Sequence, residues 1–417
     1  MTGTAMKNWG GNISFEGSTV HAPSSLDHLQ ELVAASRSCR ALGSRHSFNQ
    51  IAVADTILDT SQLPTTFSLA DDRRSVRVSG YSTYAEVAHQ LSQHELALRN
   101  LASLPHISVA GAIATGSHGS GDQNQNLAAS VSGLSVLGAN GEFAELDRDD
   151  SEFRGAVVSL GALGIVTEVE LEVIPTFDVE QRVYDGPTLT ELAEGIDDVM
   201  ASGYSVSVFT HWAGQADQIW VKQRVGDAVG ASSASFLSEL TEAKERQHPV
   251  RTIEAVGCTE QLGIPGPWFE RLPHFQMGFT PSAGDEIQSE FFVDRRFASE
   301  AIEAMRSIGN TISEALMVGE IRSIAADSLW MSPHTGRDSL AFHFTWHPAQ
   351  KPAREAANAV MDALAPFEIR THWGKLFDPD RVDLGQFTQR SDFLDLVERF
   401  DPSGKFRNRW FDEVIAR

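Results

Sequence analysis

The stretch Arg40-Ala-Leu-Gly-Ser-Arg-His-Ser-Phe-Asn49 constrains this chain most, because an apolar run ends there in a tight Gly-Ser turn with His46 at its exit. Such turns line up successive backbone N–H groups into a concave nest that suits a phosphate or pyrophosphate. His46 then stands where it can touch whatever the nest holds. A bare Gly-Ser-x-His turn is a weak signal alone, so its meaning rests on the rest of the chain.

A length of 417 residues exceeds the size at which one core usually keeps growing, roughly 250–300 residues, and so predicts two domains. Acidic residues outnumber basic ones 56 to 33, for a net charge of −23, which argues against nucleic acid and anionic membrane as partners. The acidity fits a solubilising surface and identifies no substrate. Cys39 and Cys258 are the two cysteines, in neither a CxxC nor a zinc-ligand spacing, as expected of a reduced, cytoplasmic protein without disulfides. The opening residues lack the apolar core of a signal peptide, and no apolar run is long enough to span a bilayer.

Helical spacing at Leu26, Leu29, Leu32 and Val33 follows a Ser-Ser-Leu-Asp start and predicts a helix over 25–35. Strands are expected at 39–42, 56–59 and 75–79 and a helix at 84–94, a β-α-β succession of the α+β or α/β kind. The segment Leu101–Gly121 is rich in small residues, which suits either a tight core loop or close backbone approach to a flat ligand. Strands at 131–137 and 142–146 flank Ala-Asn-Gly, a hairpin signal, and a strictly alternating strand follows at 165–173. The character changes after Pro175, where a domain boundary is expected. Strands resume at 205–211 and 218–223, then come a low-complexity turn at 226–235, a helix near 236–244 and an irregular surface lobe or lid at 263–273.

Two later strands carry unexpected polar groups. A period of two puts Glu320 and Arg322 on one face and Ile321 on the other; it also buries Phe342, Phe344 and Trp346 while aiming His343 and Thr345 together. The first pair suits a surface ion pair or a pocket, and His343 a hydrogen-bonded structural role or a site. Should both polar faces meet, they present a carboxylate, a guanidinium, an imidazole and a hydroxyl, an inventory for a neutral polyhydroxylated ligand. His372-Trp-Gly-Lys375 adds a lysine after a glycine, on the surface or in that pocket. G-x-G-x-x-G, G-x-x-x-x-G-K-[ST], G-x-S-x-G and H-E-x-x-H are all absent, and the histidines form no metal-ligand pattern.

In their order along the chain these motifs resemble the vanillyl-alcohol-oxidase type of FAD enzymes, and within it the alditol oxidases. The residues concerned are Asn8-Trp9, Gly43–Asn49, Ala102–Gly111, Ala114–Gly119, Gly161–Gly164, Glu320–Arg322, His343–Trp346, His372–Lys375 and Asp401–Phe406. The resemblance implies a two-domain α+β fold: an FAD-binding domain over 1–175, a substrate domain with an antiparallel sheet flanked by helices over 176–375, and a segment 376–417 returning to the first domain. It implies FAD bound covalently through His46 at the 8α-methyl, with Gly43, Ser44, Arg45 and Ser47 around the pyrophosphate. A second cofactor strand would run from Ser108 to His118 through Gly111, Thr115, Gly116 and Ser117. Ser103, Val166 and His372 would also touch FAD.

By the same resemblance Ser103, Glu320, Arg322, Thr345 and Lys375 hold a polyol, and Arg322, Lys375, His343 and Glu320 act in catalysis, with His343 or Lys375 taking the proton. Hydride transfer from an alcohol carbon to flavin needs that carbon held against the ring and its hydroxyl proton removed. The implied activity is oxidation of the terminal hydroxyl of xylitol or sorbitol to the aldose, with O2 reduced to hydrogen peroxide, by a cytoplasmic monomer without a metal. An aldonolactone oxidase or dehydrogenase is the alternative, and a non-catalytic carbohydrate-binding protein a remote one. Arg45 departs from the pattern, since alditol oxidases often have glycine there. Ala102 occupies a position thought to govern oxygen access in this family, where alanine occurs in oxidases and dehydrogenases alike.

Overall fold

A computed structural model describes residues 6–279 and 286–417. Residues 1–5, which belong to the opening stretch without a signal-peptide core, lie outside them. Among the described residues no helix is long and apolar enough to cross a membrane.

Three parallel strands begin the molecule: β1 (Thr19–His21), β2 (Cys39–Leu42) and β3 (Thr56–Asp59), ordered β1-β3-β2. The helix Leu26–Ala35 joins β1 to β2, its N-terminus capped by Ser25, which accepts from the His28 N–H, and its Leu29 and Val33 buried. Beside them stands an antiparallel sheet of β4 (Phe67–Leu69), β5 (Ser75–Ser79), β7 (Val131–Leu137), β8 (Phe143–Asp147) and β9 (Ile165–Glu172), in the order β4-β5-β9-β7-β8. Two short strands, β6 (Leu96–Ala97) and β10 (Ile174–Pro175), pair with each other. β9 alternates buried and half-buried along its whole length, as its sequence pattern requires. The C-terminal segment lies against the first sheet: Cys39 N–H donates to the Lys405 carbonyl, and Asn408 donates to the carbonyls of Gln50, Ile51 and Val53.

After Pro175 an eight-stranded antiparallel sheet forms from β11 (Asp178–Asp185), β12 (Ser205–Thr210), β13 (Gln218–Arg224), β14 (Gly266–Pro267), β15 (Ile287–Asp294), β16 (Leu316–Ile324), β17 (Ser339–Trp346) and β18 (Arg370–Thr371). Their order is β14-β11-β13-β12-β16-β17-β15-β18. One face packs Ile321, Phe291, Phe342, Phe344 and Trp346 beneath the helices Leu189–Met200, Ala298–Ile312 and Gln350–Leu364. Each such buried side chain stabilises the sheet by about 1.5–3 kcal/mol. Mixed helices and antiparallel sheets of this kind are the α+β class.

Two local expectations need correction. The helix expected near 236–244 instead spans Ala231–Ser238, beginning within the stretch 226–235 read as a low-complexity turn and ending after only the first residues of the expected range. Phe236 packs there on Gly195 of the neighbouring helix, while Thr241 and Ala243 exchange backbone hydrogen bonds with Asp185 and Val183 at the edge of β11. Tertiary packing and pairing thus override the local pattern. The segment 263–273 is irregular but is no detached surface lobe, because Gly266–Pro267 pairs with β11 and Trp268 is fully buried.

Candidate functional site

Register in the large sheet assembles the site. Glu290 on β15 and Glu320 on β16 both stand opposite His343 on β17, and Phe209 on β12 stands opposite Glu320. Directly opposed residues share a face, so Glu290, His343 and Glu320 form one transverse row. Arg322 and Thr345 lie two positions along their strands on the same face. Glu320 and Arg322 are buried, which removes the surface ion pair as an explanation, while Ile321 and the three aromatics of β17 fill the opposite face.

The centre of the row is a carboxylate that sequence reasoning missed. Lys375 donates from Nζ to Glu290 Oε2 at 2.8 Å, and Arg322 donates from Nη2 to Oε1 at 2.5 Å. His118 Nε2 lies 3.3 Å and His343 Nδ1 3.7 Å from the same Oε1. Burial would raise the Glu290 pKa, but Lys375, His118 and Arg322 together hold it well below the usual carboxylate range. Burial likewise opposes the charge on Glu320, and Arg322 and His274 overcome it. Within Ile-Gln-Ser-Glu-Phe-Phe-Val the one signal of Glu290 was a lone carboxylate in an otherwise apolar strand. His274 and Lys222 were missed too: His274 Nε2 lies 2.8 Å from Glu320 Oε1, and Lys222 Nζ lies 3.2 Å from His274 Nδ1.

The loop after β18 brings in Lys375. His372 N–H donates to the Glu290 carbonyl and Leu376 N–H to that of Gln288, so residues 372–376 run beside β15. Lys375 also contacts His343 Nδ1 at 2.8 Å, and His343 Nε2 contacts Thr345 Oγ1 at 3.2 Å. Burial is the main cause that lowers both the Lys375 pKa and that of His343, the latter to about 4.

The Gly43–Asn49 turn grips this loop from the other side. Asn49 Nδ2 donates to the carbonyls of Trp373 and Lys375, each at 2.8 Å, and Phe48 N–H donates to the Gly374 carbonyl at 2.7 Å. Ser44 Oγ accepts from the Ser108 N–H, and a β-carbon on Gly43 would run into Ser108 Oγ. Arg45 adopts the left-handed backbone, with φ at 62°, where glycine is the easiest residue. Its side chain is exposed. His46 stacks on Trp9 with ring centroids 5.0 Å apart. Its Nδ1 is buried without a hydrogen-bond partner among the described residues, and burial pushes its pKa down to about 4.

One cleft of about 350 Å³ joins the two regions, within the ~300–1,000 Å³ usual for ligand sites. Gly43, Ser44, Arg45, His46, Ser47, Ser103, Ser108, Gly111, Thr115, Ser117, His118, Glu320, Arg322, His343, Thr345, His372 and Lys375 all line it, as does Ala102. Gly116 and Val166 stand outside that lining. Gly116 turns the backbone at φ 70° against Pro333, and Val166 pairs with Val136 within its sheet. Ser103 Oγ accepts from Arg322 Nη1 at 3.3 Å. Among the described residues no group of histidine, cysteine, aspartate and glutamate could hold a metal ion.

Family models match the chain twice, an FAD binding domain over residues 18–147 and a D-arabinono-1,4-lactone oxidase region over 285–414. An alditol oxidase of a Streptomyces species is 40% identical, with 99% of each chain covered. An L-gulono-1,4-lactone dehydrogenase of Mycobacterium tuberculosis is 26% identical, with 98% of each covered. Among solved structures, a cholesterol oxidase of B. sterolicum superposes with a TM-score of 0.77 at 14% identity, covering 99% of this chain and 96% of the other; that likeness concerns the fold.

The burial of His274 and His343 has a thermodynamic consequence. Each is held near 4 rather than 6.5, and burial lowers His118, His334 and His372 too, so below pH 6.5 the unfolded chain takes up protons that the folded chain refuses, and stability falls as pH falls. Asp327, pushed up to about 6 by burial, and His211, raised by its hydrogen bond to Asp217, act in the opposite sense but are fewer. Calorimetry is expected to show Tm dropping between about pH 7 and pH 4.5, and a flat or rising Tm over that range contradicts this reading.

Proposed function

The chain belongs to the alditol oxidase family, within the vanillyl-alcohol-oxidase type of FAD enzymes, and on that premise we propose that it oxidises the terminal hydroxyl of a polyol such as xylitol or sorbitol to the aldose. For each alcohol oxidised, one O2 becomes one hydrogen peroxide. The observation that carries the reading is the row of Glu290, His343 and Glu320 with Arg322 and Lys375, all facing the cleft that also contains His46. Donors and acceptors abound there, which suits a neutral ligand made of hydroxyl groups.

The residues present fit FAD. The turn at Gly43–Ser47 offers backbone N–H groups, the Gly43–Ser108 approach leaves no room for a β-carbon, and His46 Nδ1 is a buried atom in want of a partner. FAD, when bound, supplies the acceptor for the hydride leaving the alcohol carbon. Gly43, Ser44, Arg45 and Ser47 would hold its pyrophosphate, and the Ser108–His118 segment with Ser103 and His372 the remainder, while Gly116 and Val166, outside the cleft lining, would not touch it. A neutral imidazole is the nucleophilic form. With a pKa near 4, His46 is neutral at physiological pH, which supports covalent attachment through this residue. We take 1–175 with 376–417 as the cofactor domain and 176–375 as the substrate domain, and extend the proposal to a cytoplasmic monomer. Both cysteines are buried and unpaired, in keeping with a reducing compartment.

The chain's own part in the chemistry is to hold the alcohol and move its proton. Arg322 and Lys375 donate to the hydroxyl oxygen as negative charge develops on it. Glu320, Ser103 and Thr345 hold the other hydroxyls. His343 Nδ1 is already occupied by Lys375, and its Nε2 faces Thr345, so the imidazole has no free lone pair while Lys375 is charged. Lys375 Nζ, whose pKa burial depresses, can take the hydroxyl proton only as it passes one of its own to His343 Nδ1 at 2.8 Å, so Lys375 stays a cation beside the developing charge and His343 ends as the proton's holder.

A polyol and lactone panel with a peroxide readout tests the function. Xylitol and sorbitol should generate peroxide. Turnover of an aldonolactone with no polyol reacting would favour the second family model matched by this chain and overturn the proposal. Acid precipitation tests the attachment: flavin should pellet with the wild-type polypeptide and remain in the supernatant for His46→Ala. Acid-stable flavin in that variant would refute the link.

A further inference from the structure

Two lysine–histidine pairs are built alike on the polar face of the large sheet. In the first, Lys375 Nζ meets His343 Nδ1 at 2.8 Å and His343 Nε2 meets Thr345 Oγ1 at 3.2 Å. The second lies outside the proposed proton path: Lys222 Nζ meets His274 Nδ1 at 3.2 Å, and His274 Nε2 meets Glu320 Oε1 at 2.8 Å. Lys222 is 1% exposed, and its remaining donors go to the carbonyls of Leu272 at 2.5 Å and Pro273 at 3.0 Å.

The Glu320 carboxylate can only accept, so His274 Nε2 carries the proton and Nδ1 accepts, which leaves Lys222 Nζ facing three acceptors; that arrangement favours the ammonium, although burial lowers the Lys222 pKa to about 7. An ammonium has no lone pair, so His274 Nδ1 must accept. A neutral imidazole that accepts at Nδ1 carries its proton on Nε2, and that proton points at Glu320. Burial, reinforced by Lys222, keeps the imidazole neutral, its pKa near 4. One oxygen of Glu320 is thereby committed, whereas Oε2 receives no protein hydrogen bond from the described residues. His274 and Glu320 both line the cleft, and the His274 N–H is anchored on the Ser103 carbonyl.

We propose that Lys222 and His274 are positioning residues for substrate hydroxyls: Lys222 fixes the tautomer of His274, which holds Glu320 Oε1 and turns Oε2 towards a hydroxyl of the polyol distant from the reacting carbon. The inference rests on the polyol reading of the site. It assigns the specificity for a long hydroxylated chain to a cation that never reaches the cleft itself. Glu320 without this donor is free to rotate onto Arg322, 3.6 Å from Oε1, and to withdraw its acceptor from the substrate.

The test compares xylitol with 1,2-butanediol, which lacks the distal hydroxyls, in the flavin-loaded wild type and in three variants. His274→Phe removes the donor, His274→Gln keeps an N–H donor, and Lys222→Met removes the tautomer lock. A lost hydrogen bond to a charged group is expected to lower the xylitol-over-diol ratio of kcat/KM by about tenfold or more in His274→Phe, mainly through KM for xylitol. His274→Gln should recover most of that ratio, and Lys222→Met should lower it by about threefold or more. Should His274→Phe fail to accumulate as folded protein, the test rests on a lowered ratio in Lys222→Met beside a nearly unchanged one in His274→Gln. Equal losses on both substrates, an unchanged ratio, or no recovery in His274→Gln overturns the proposal. Wild-type protein that turns over neither alcohol overturns the polyol reading itself, a different result.

Discussion

A buried negative charge at Glu290 is the constraint on which the site depends. A carboxylate with a 1% exposed side chain survives in a protein interior only when cations and donors replace its water, and here they come from three directions. Arg322 arrives from β16, His118 from the small-residue segment and Lys375 from the loop beyond β18. Removing one partner from such a set typically costs about 3–5 kcal/mol, so placing one requires placing all. Glu290 therefore ties the large sheet electrostatically to the N-terminal segment that carries His118, and Asn49 ties the Gly43–Asn49 turn by hydrogen bonds to the Lys375 loop.

That arrangement gives a cleft in which charge is present but already spoken for. Glu290 neutralises Arg322 and Lys375, the cations we propose to stabilise developing charge on the alcohol oxygen, and a lysine stands on one ring nitrogen of each of His343 and His274. A neutral substrate can enter without a large desolvation mismatch, and its hydroxyls meet groups with fixed donor or acceptor character. Preorganisation of this kind is what a polar site needs when the ligand brings no charge of its own.

Much of this was legible in the sequence where the signal is local. Period-two alternation placed Glu320 with Arg322 and His343 with Thr345; the Ser108–His118 segment, expected as a strand, is helical over Val109–Ala114 and meets the Gly43–Asn49 turn through Ser108 and Ser44. Glu290 was not legible, because its meaning comes from register with β17 and from Lys375, 85 residues further along the chain. His274 and Lys222 were hidden for a similar reason: one sits just past the proline-rich stretch 263–273, the other in a strand with nothing locally unusual about a lysine. The short helix Ala231–Ser238 shows the same limit, since its place is set by Gly195 and by the edge of β11. Arg45 gained meaning from the structure: its backbone is left-handed, which accounts for glycine being common there, and its side chain is left exposed at the cleft.

Anaerobic stopped-flow mixing of the purified flavoprotein with xylitol tests the central claim most directly, because it watches the alcohol deliver its electrons before oxygen intervenes. The account predicts a saturable, single-turnover bleaching of the flavin absorbance by xylitol and by sorbitol, with aldose formed in equal amount. Flavin that stays oxidised with every polyol and bleaches with an aldonolactone would contradict it.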